Sequence, residues 1–241
     1  VTGAAIELSL DADIQKAAWD ALGARKGAVV AMDPATGRII AMVSKPGFDA
    51  NLLAGHSSQA TTSAYRELLD DPDSPLVNRA IGGDLYHPGS VFKIVVAAAA
   101  LESGRYSTGT TFENLDRYRL PGTTTYINNS NNSTCGDGAL VTLETALIRS
   151  CNIPFAILAV DLGQDRIRAQ AELMGFGDEL AIPLTVTPSI YPQDMELPQV
   201  ALSGFGQFDV RTTPLQIAMS TAAIANQGVL MKPQLIDQVV A

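Results

Sequence analysis

One serine and one lysine, three residues apart, have the clearest capacity for chemistry in this chain. They stand in Pro88-Gly89-Ser90-Val91-Phe92-Lys93, and the residues that follow are apolar on every side as far as Leu101. A helix that is apolar all round is normally buried in the core of a domain. Residues at i and i+3 share one face of a helix. The spacing therefore predicts a hydroxyl beside an amine, both largely out of water.

Such a pair suits nucleophilic catalysis. A serine hydroxyl needs a neighbouring base, and burial lowers the pKa of a lysine until its amine can take a proton. The N-terminus of the helix would also direct its N–H groups at Ser90, where they could stabilise an oxyanion. However, S-x-x-K occurs by chance in many chains, and a lysine can extend from an apolar helix to the surface. The four letters alone therefore leave a structural role open.

Composition narrows the class of protein. The chain has 241 residues, of which 46% are hydrophobic and 17% charged, as in one large or two small globular domains. Its net charge of -9, without any basic block, argues against nucleic acid as the partner. His56 and His87 lie far apart and no metal-ligand spacing occurs, so we expect no metal site. No apolar run approaches the roughly 20 residues of a membrane span, and no signal peptide is visible at Val1.

The two cysteines are Cys135 and Cys151. An even number with short spacing permits a disulfide in an oxidising compartment. Closing a loop of that size would contribute about 3 kcal/mol. Two ordinary buried thiols are the alternative. If the cysteines are joined, the bridge would clamp the turn that contains Cys151.

The pattern of apolar, capping and turn residues predicts both helices and strands. Helical periodicity is found at residues 14–22 (capped by Asp11), 64–69, 90–104, 142–149, 153–162, 164–174 and 213–228. A β-hairpin is predicted from strands at 27–32 and 38–43 around a turn at 33–37. Residues 107–138 are rich in Thr, Asn and Gly and predict an irregular loop. Residues 183–198 predict an extended, proline-punctuated segment.

A second polar group stands at the break between two predicted helices. Ser150-Cys151-Asn152 could supply nothing more than helix caps, where serine and asparagine commonly occur. Together with Ser90 and Lys93, however, it completes S-x-x-K followed by S-x-N, a motif pair of penicillin-binding proteins and serine β-lactamases. His87 precedes a proline and no G-x-S-x-G elbow occurs, so we interpret it as a loop histidine.

On these motifs the chain resembles the transpeptidase domain of class B penicillin-binding proteins, and is most similar to their actinobacterial penicillin-binding protein A type. Further landmarks follow in the order of that family at 27–37, 40–44, 78–80, 141–147, 206–207, 213–216 and 225–228. The resemblance implies an α/β fold of the α+β type. In that fold an antiparallel sheet has flanking helices, and a second lobe is all-helical.

The resemblance also assigns roles by position. Ser90 is expected to be the acylated nucleophile and Lys93 the base that takes its proton. Ser150 is expected to relay a proton toward Lys93 and the leaving group. The amide of Asn152, which can donate and accept, is expected to bind the peptide or β-lactam and to hold Lys93.

The activity that the resemblance implies is that of a D,D-transpeptidase, which cross-links peptidoglycan stem peptides at D-Ala–D-Ala. β-Lactams would acylate the same serine, with no metal or organic cofactor. Divisome or elongation-complex proteins would be partners, at the extracytoplasmic face of the bacterial plasma membrane. The alternatives are a D,D-carboxypeptidase, a serine β-lactamase, a β-lactam-binding sensor and a catalytically idle divisome scaffold.

One motif of the family is missing. No Lys-Thr-Gly or Lys-Ser-Gly occurs, and the last lysine is Lys232 in Met231-Lys232-Pro233. We therefore expect residues 1–241 to be a partial transpeptidase domain with an incomplete sheet. The N-terminal dimerisation and anchor region and the C-terminal strands of the family would lie outside it.

Overall fold

The computed structural model describes residues 4–180 and 182–240. The chain forms two compact units. The first takes in the described residues of Val1–Leu85, Glu179–Pro188 and Thr213–Ala241, and the second comprises Tyr86–Asp178 and Ser189–Thr212. Among the described residues, no helix has the length and apolar character needed to cross a bilayer.

The first unit contains two antiparallel strand pairs. Strand β1 (Ala5–Leu8) pairs with β8 (Ile236–Val240), and β2 (Gly27–Met32) pairs with β3 (Ile39–Lys45). The second pair confirms the predicted hairpin. Alternate residues of a strand point to opposite faces, and β3 accordingly buries Ile39, Ala41 and Val43.

Three helices of the first unit accompany these strands: α1 (Ala12–Leu22), α2 (Ser58–Asp70) and α8 (Pro214–Ala225). The Asp11 carboxylate accepts hydrogen bonds from the N–H groups of Asp13 and Ile14, at 3.0 Å each. This is the cap predicted for α1. Helix α2 begins earlier than predicted because Ser57 caps it by accepting from the Ala60 N–H. Helix α8 begins at Pro214, as predicted.

The edge of β3 that faces away from β2 is occupied by the start of α1. The Gln15 side chain donates to the Met42 carbonyl at 2.8 Å and accepts from the Met42 N–H at 2.7 Å. The Asp11 N–H donates to the Ile40 carbonyl at 2.9 Å. An open strand edge invites association with other chains, and here a side-chain amide takes the place of a neighbouring strand.

The second unit is mainly helical. A 3₁₀ turn (Gly89–Phe92) leads directly into α3 (Lys93–Glu102), and the other helices are α4 (Leu143–Ile148), α5 (Asn152–Leu162), α6 (Gln164–Leu173) and α7 (Leu197–Ser203). Helix α3 packs against α5 and α6, and α5 packs against α7. At the end of α7, a Cβ on Gly204 would lie 2.4 Å from the Phe155 carbonyl oxygen, so only glycine permits this close approach.

The core of the second unit forms around α3, as its apolar sequence predicts. Phe92 is buried, with its ring stacked on Tyr191 and edge-on to Phe176, both at 5.6 Å between centroids. Cys135 and Cys151 lie in the same cluster and are joined by a disulfide with a Cα–Cα distance of 5.8 Å.

Two details of the second unit differ from the prediction. Residues 107–138 are not wholly irregular: β4 (Thr111–Glu113) pairs with β7 (Leu140–Thr142), and β5 (Arg117–Arg119) pairs with β6 (Tyr126–Asn128). Strands of three residues are too short to show an alternating pattern. Helix α7 was not predicted because it begins within residues 183–198, whose prolines indicated an extended segment. Pro198 is the second residue of the helix, where proline is tolerated, and the Gln199 side chain caps the helix by accepting from the Glu196 N–H at 2.8 Å.

Candidate active site

The amine of Lys93 is the centre of a polar cluster. Lys93 is the first residue of α3 and is 0% exposed. Its Nζ lies 3.0 Å from Ser90 Oγ, 2.7 Å from the Ser150 carbonyl oxygen, 3.3 Å from Ser150 Oγ and 2.9 Å from Asn152 Oδ1. The structure thus brings together all four residues singled out from the sequence.

Ser90 and Lys93 are aligned by local geometry. Ser90 lies in the 3₁₀ turn that precedes α3, and side chains at i and i+3 eclipse in a 3₁₀ turn. The sequence predicted both residues largely out of water. For Ser90 this is wrong, because the serine is exposed while only the lysine is fully buried. The start of the turn lies at the surface, and the chain enters the core only at Phe92.

The contacts of Lys93 are compatible with a neutral amine. Burial alone lowers the pKa of Lys93 to about 8, and among the described residues no carboxylate pairs with it. A neutral amine has two N–H donors and one lone pair. The Ser150 carbonyl and Asn152 Oδ1 can only accept, so they take the two donors. The lone pair is then left for a hydroxyl proton, and the Ser90 hydroxyl is within reach.

Ser150 occupies a position that favours glycine. It follows α4 with a φ of 55°; its N–H donates to the Leu147 carbonyl at 3.0 Å, and the Cys151 N–H donates to the Ala146 carbonyl at 2.9 Å. These two bonds define a Schellman motif, whose left-handed position is usually glycine. Here a serine occupies it, and both its carbonyl and its hydroxyl face Lys93.

Two asparagines hold the start of α5. Asn129 Oδ1 accepts from the N–H groups of Asn152 and Ile153, at 2.9 and 3.0 Å. The Asn152 side-chain N–H donates to the Asn128 carbonyl at 3.1 Å. Sequence reasoning attributed this pair to loop composition and missed it. The available signal was that Cys151, which precedes α5, is a poor cap, but nothing in the sequence named the residue that replaces it.

Gly206 lies directly against the residue that precedes Ser90. The Gly89 N–H donates to the Gly206 carbonyl at 3.0 Å. Gly206 has a φ of 71°, and a Cβ added to it would lie 2.1 Å from the Gly89 carbonyl oxygen. The Gly206-Gln207 landmark found in the sequence thus has a physical reason: only glycine lets these two backbones approach each other beside Ser90.

A cleft of about 510 Å³ opens at Ser90 and Asn152. Its other lining residues are Ile127, Asn128, Ser130, Leu202, Phe205, Gln207 and Phe208. The lining is therefore apolar and uncharged polar, which suits a peptide. His87 lies against Arg211 and is not part of this lining. No cluster able to hold a metal ion occurs in the part of the chain that the structure describes.

Comparison with known families agrees with this geometry. The penicillin-binding protein transpeptidase domain matches residues 27–241. With its serine–lysine cluster and its mixed helices and antiparallel strands, the chain belongs to the penicillin-binding protein transpeptidase family, and the predicted fold is confirmed. The peptidoglycan D,D-transpeptidase PbpA of Mycolicibacterium smegmatis is 40% identical over 241 residues, which cover 98% of this chain and 49% of that protein.

Solved structures give the same result. Penicillin-binding protein A from M. tuberculosis, as its ceftriaxone acyl-enzyme complex, superposes with a TM-score of 0.94 at 37% identity, covering 99% of this chain and 55% of that one. Its penicillin G acyl-enzyme complex also gives 0.94 at 37%, covering 99% of this chain and 56% of that one. The similarity to the actinobacterial type is thereby confirmed. The chain spans about half the length of the curated relatives it matches.

Proposed function

We propose that this chain carries the catalytic site of a serine-type D,D-transpeptidase that cross-links peptidoglycan stem peptides. One observation carries the proposal: a fully buried lysine amine lies 3.0 Å from the hydroxyl of an exposed serine. Such an amine is a suitable general base for a nucleophilic serine. The names of the relatives, which are peptidoglycan D,D-transpeptidases, identify the substrate class that we propose.

In the proposed acylation step, Lys93 takes the Ser90 hydroxyl proton while Ser90 Oγ forms a bond to the carbonyl carbon of the penultimate D-alanine. The tetrahedral intermediate collapses by breaking the C–N bond to the terminal D-alanine. The leaving nitrogen receives one proton and D-alanine departs as a free amine. The nitrogen of an amine on a second stem peptide then forms a bond to the acyl carbon, and the ester C–O bond to Ser90 Oγ breaks. The proton that the amine loses goes to Ser90 Oγ and regenerates the hydroxyl.

Ser150 and Asn152 are proposed to serve this cycle in different ways. The Ser150 hydroxyl, 3.3 Å from Lys93 Nζ, can accept the proton from Lys93 and donate its own to the leaving nitrogen. Asn152 lines the cleft and can hydrogen-bond the substrate peptide. N–H groups in the first turn of a helix have no intrahelical acceptor. Ser90 is the second residue of its turn, so we propose its N–H as an oxyanion donor.

We propose β-lactams as ligands of the same site, because the relatives of known structure form acyl-enzymes with them. We place the catalytic unit at the outer face of the plasma membrane, with cell-wall assembly proteins as its partners. The Cys135–Cys151 disulfide supports an oxidising compartment, and peptidoglycan is assembled outside the cytoplasm.

The test is intact mass spectrometry of the chain after incubation with penicillin G, followed by peptide mapping. We expect one adduct, on Ser90, and none in Ser90→Ala. Ser103→Ala, at the other end of α3, is the matched control and should be acylated like wild type. A D-Ala–D-Ala peptide incubated with an amine acceptor then separates transfer from simple hydrolysis.

An adduct that persists in Ser90→Ala, or maps elsewhere, would contradict the assigned nucleophile. Stable acylation by penicillin without any release of D-alanine from the peptide would favour the sensor or idle-scaffold alternative. Release of D-alanine without transfer to the acceptor would favour a carboxypeptidase.

A further inference from the structure

The loop that follows β6 determines how Asn152 is presented to Lys93. Asn129 is 3% exposed, and its side chain is fully engaged. Its Nδ2 donates to the Ser133 carbonyl at 2.8 Å and to the Leu115 carbonyl at 3.4 Å. These two bonds fix which way the amide points, so that Oδ1 faces the start of α5.

The first turn of α5 has no cap of its own. Cys151 stands at the N-cap position without a side-chain hydrogen bond, because its sulfur is bound to Cys135. The first two residues of the helix, Asn152 and Ile153, present N–H groups, and the third, Pro154, has none. Asn129 Oδ1 accepts from both of these N–H groups. One side chain, 23 positions earlier in the chain, therefore satisfies the N–H groups of both residues that begin the helix.

Asn128, the residue before Asn129, fixes the side chain of Asn152. The Nδ2 group of Asn152 donates to the Asn128 carbonyl, and Oδ1 of Asn152 therefore faces Lys93 Nζ at 2.9 Å. Residues 128 and 129 thus hold both the backbone and the amide of Asn152. Were the amide reversed, its N–H₂ would face the lysine and could not accept from it.

We infer that Asn129 is a positioning residue for the Ser90–Lys93 site, acting through Asn152. This inference rests on the proposed function. An acceptor for Lys93 that is misplaced by about 1 Å can cost on the order of 100-fold in rate. The groups around Lys93 in the described residues are two hydroxyls, a carbonyl, the Asn152 amide and the Phe155 ring, 5.7 Å from Nζ to the centroid. None of these groups is charged, so no neighbouring charge obscures the effect on Lys93 of a substitution at residue 129.

The experiment compares three variants of the full chain. Asn129→Leu keeps the approximate size and removes both the acceptor and the Nδ2 donor. Asn129→Asp keeps the acceptor oxygen, loses the Nδ2 donor to the Ser133 and Leu115 carbonyls and adds a negative charge. Asn114→Leu is the matched control. The Asn114 side chain holds the same loop through the Cys135 N–H at 2.6 Å and the carbonyls of Gly136 and Gly138 at 3.0 and 2.9 Å. None of these groups belongs to α5, and Cys135 is linked to its start through the disulfide to Cys151.

Acylation by a fluorescent penicillin is measured across the pKa of Lys93, about 8, together with Tm. We expect Asn129→Leu to slow acylation about 100-fold and Asn114→Leu to slow it far less at a comparable loss of Tm. Asn129→Asp should retain more of the rate than Asn129→Leu, because it keeps an acceptor for the N–H groups of α5. It should also move the midpoint of the pH profile upward, because a nearby carboxylate favours the protonated lysine.

Equal losses of rate in Asn129→Leu and Asn114→Leu would overturn the inference and leave Asn129 a structural residue. If Asn129→Leu does not fold, Asn129→Ala takes its place, because it is also neutral, whereas a charge at residue 129 moves the midpoint whether or not the side chain positions Asn152. The Lys93 side chain is also titrated by NMR in the unacylated wild type and in Asn129→Leu, which adds no charge, so that a changed pKa reports a displaced Asn152 acceptor. This titration tests the positioning inference even if penicillin does not acylate the wild-type chain. Failure of the wild-type chain to be acylated would refute only the proposed function.

Discussion

Helices α1 and α5 have eleven residues each, but they begin in opposite ways. Helix α1 is capped by the residue next to it, Asp11. Helix α5 is capped by Asn129, which reaches it from a separate loop. A local cap forms with its helix and stabilises that helix alone. A distant cap forms only when the surrounding unit has folded, and it fixes the helix end relative to other elements. The second kind suits a site whose four residues come from two separate segments, 90–93 and 150–152.

The largest effect should come from the first residue of α5. We expect Asn152→Ala to slow acylation about 100- to 1,000-fold, because Lys93 and the substrate both lose a partner in a preorganised site. The free energy of unfolding should fall by only about 1–3 kcal/mol, because the buried Lys93 amine loses one acceptor while Asn129 still caps the backbone. Acylation rates and urea denaturation measure the two effects. An unimpaired acylation rate would show that the start of α5 matters no more to acylation than the start of α1.

Ser150→Gly should produce effects of opposite sign. The left-handed backbone at residue 150 costs a residue with a Cβ about 1 kcal/mol or more relative to glycine, so unfolding should become harder. Loss of the hydroxyl should slow acylation about 100-fold. Ser150→Ala is the control, because it removes the hydroxyl without relieving the backbone. A destabilised Ser150→Gly would mean that the hydroxyl matters more to the fold than the turn does.

The pH dependence of acylation should distinguish the site beside α5 from the start of α1. Lys93 must be neutral to accept a proton, and its pKa is lowered to about 8 by burial. Acylation should therefore rise about tenfold between one unit below and one unit above that pKa and then level off. Asp11→Ala should give the same profile as wild type. A rate that is flat over this range would show that deprotonation of Lys93 does not limit acylation.

Replacing both Cys135 and Cys151 by alanine tests how far the α5 end depends on its covalent link. The bridge joins residues 16 positions apart, and its loss should lower the free energy of unfolding by about 3 kcal/mol. Acylation should fall only a few-fold, because the Asn129 bonds remain. Reduced wild-type protein is the control and should behave like the variant. A rate loss as large as that of Asn152→Ala would assign the positioning to the disulfide.

The smallest effect on activity should follow a change at α1. Asp11→Ala removes a cap of two N–H groups and should cost about 1 kcal/mol of stability. The acylation rate should remain that of wild type. Stopped-flow acylation and thermal unfolding on the same sample make the comparison, and a slowed rate would show that the start of α1 also affects the site.

The elements that carry their own signals could be predicted from the sequence. Helix α1 with Asp11, the β2–β3 hairpin and the apolar α3 with its one lysine are examples. The four candidate site residues were also recognised, because Ser90 and Lys93 are local neighbours and the remaining pair forms a motif. Their meeting at one amine could not be derived from spacing. Ser150 reaches Lys93 across 57 positions, which depends on how α3, α4 and α5 pack.

Contacts without a local pattern were missed for the same reason. Asn129 looks like any loop asparagine until α5 is seen to lack a cap. The three-residue strands around it are too short to alternate. The exposure of Ser90 was also misjudged, since an apolar stretch predicts burial but does not show at which residue the chain enters the core.

The full burial of Lys93 has a practical consequence for handling the protein. The other lysines are Lys16, Lys26, Lys45 and Lys232, and all of them belong to the first unit. Lysine-directed esters in solution will therefore attach dyes, biotin or a sensor surface to that unit alone, because the single lysine of the second unit is 0% exposed. Immobilised or fluorescent protein prepared in this way keeps an unmodified Lys93 amine, and its binding signal can be compared directly with that of the free chain.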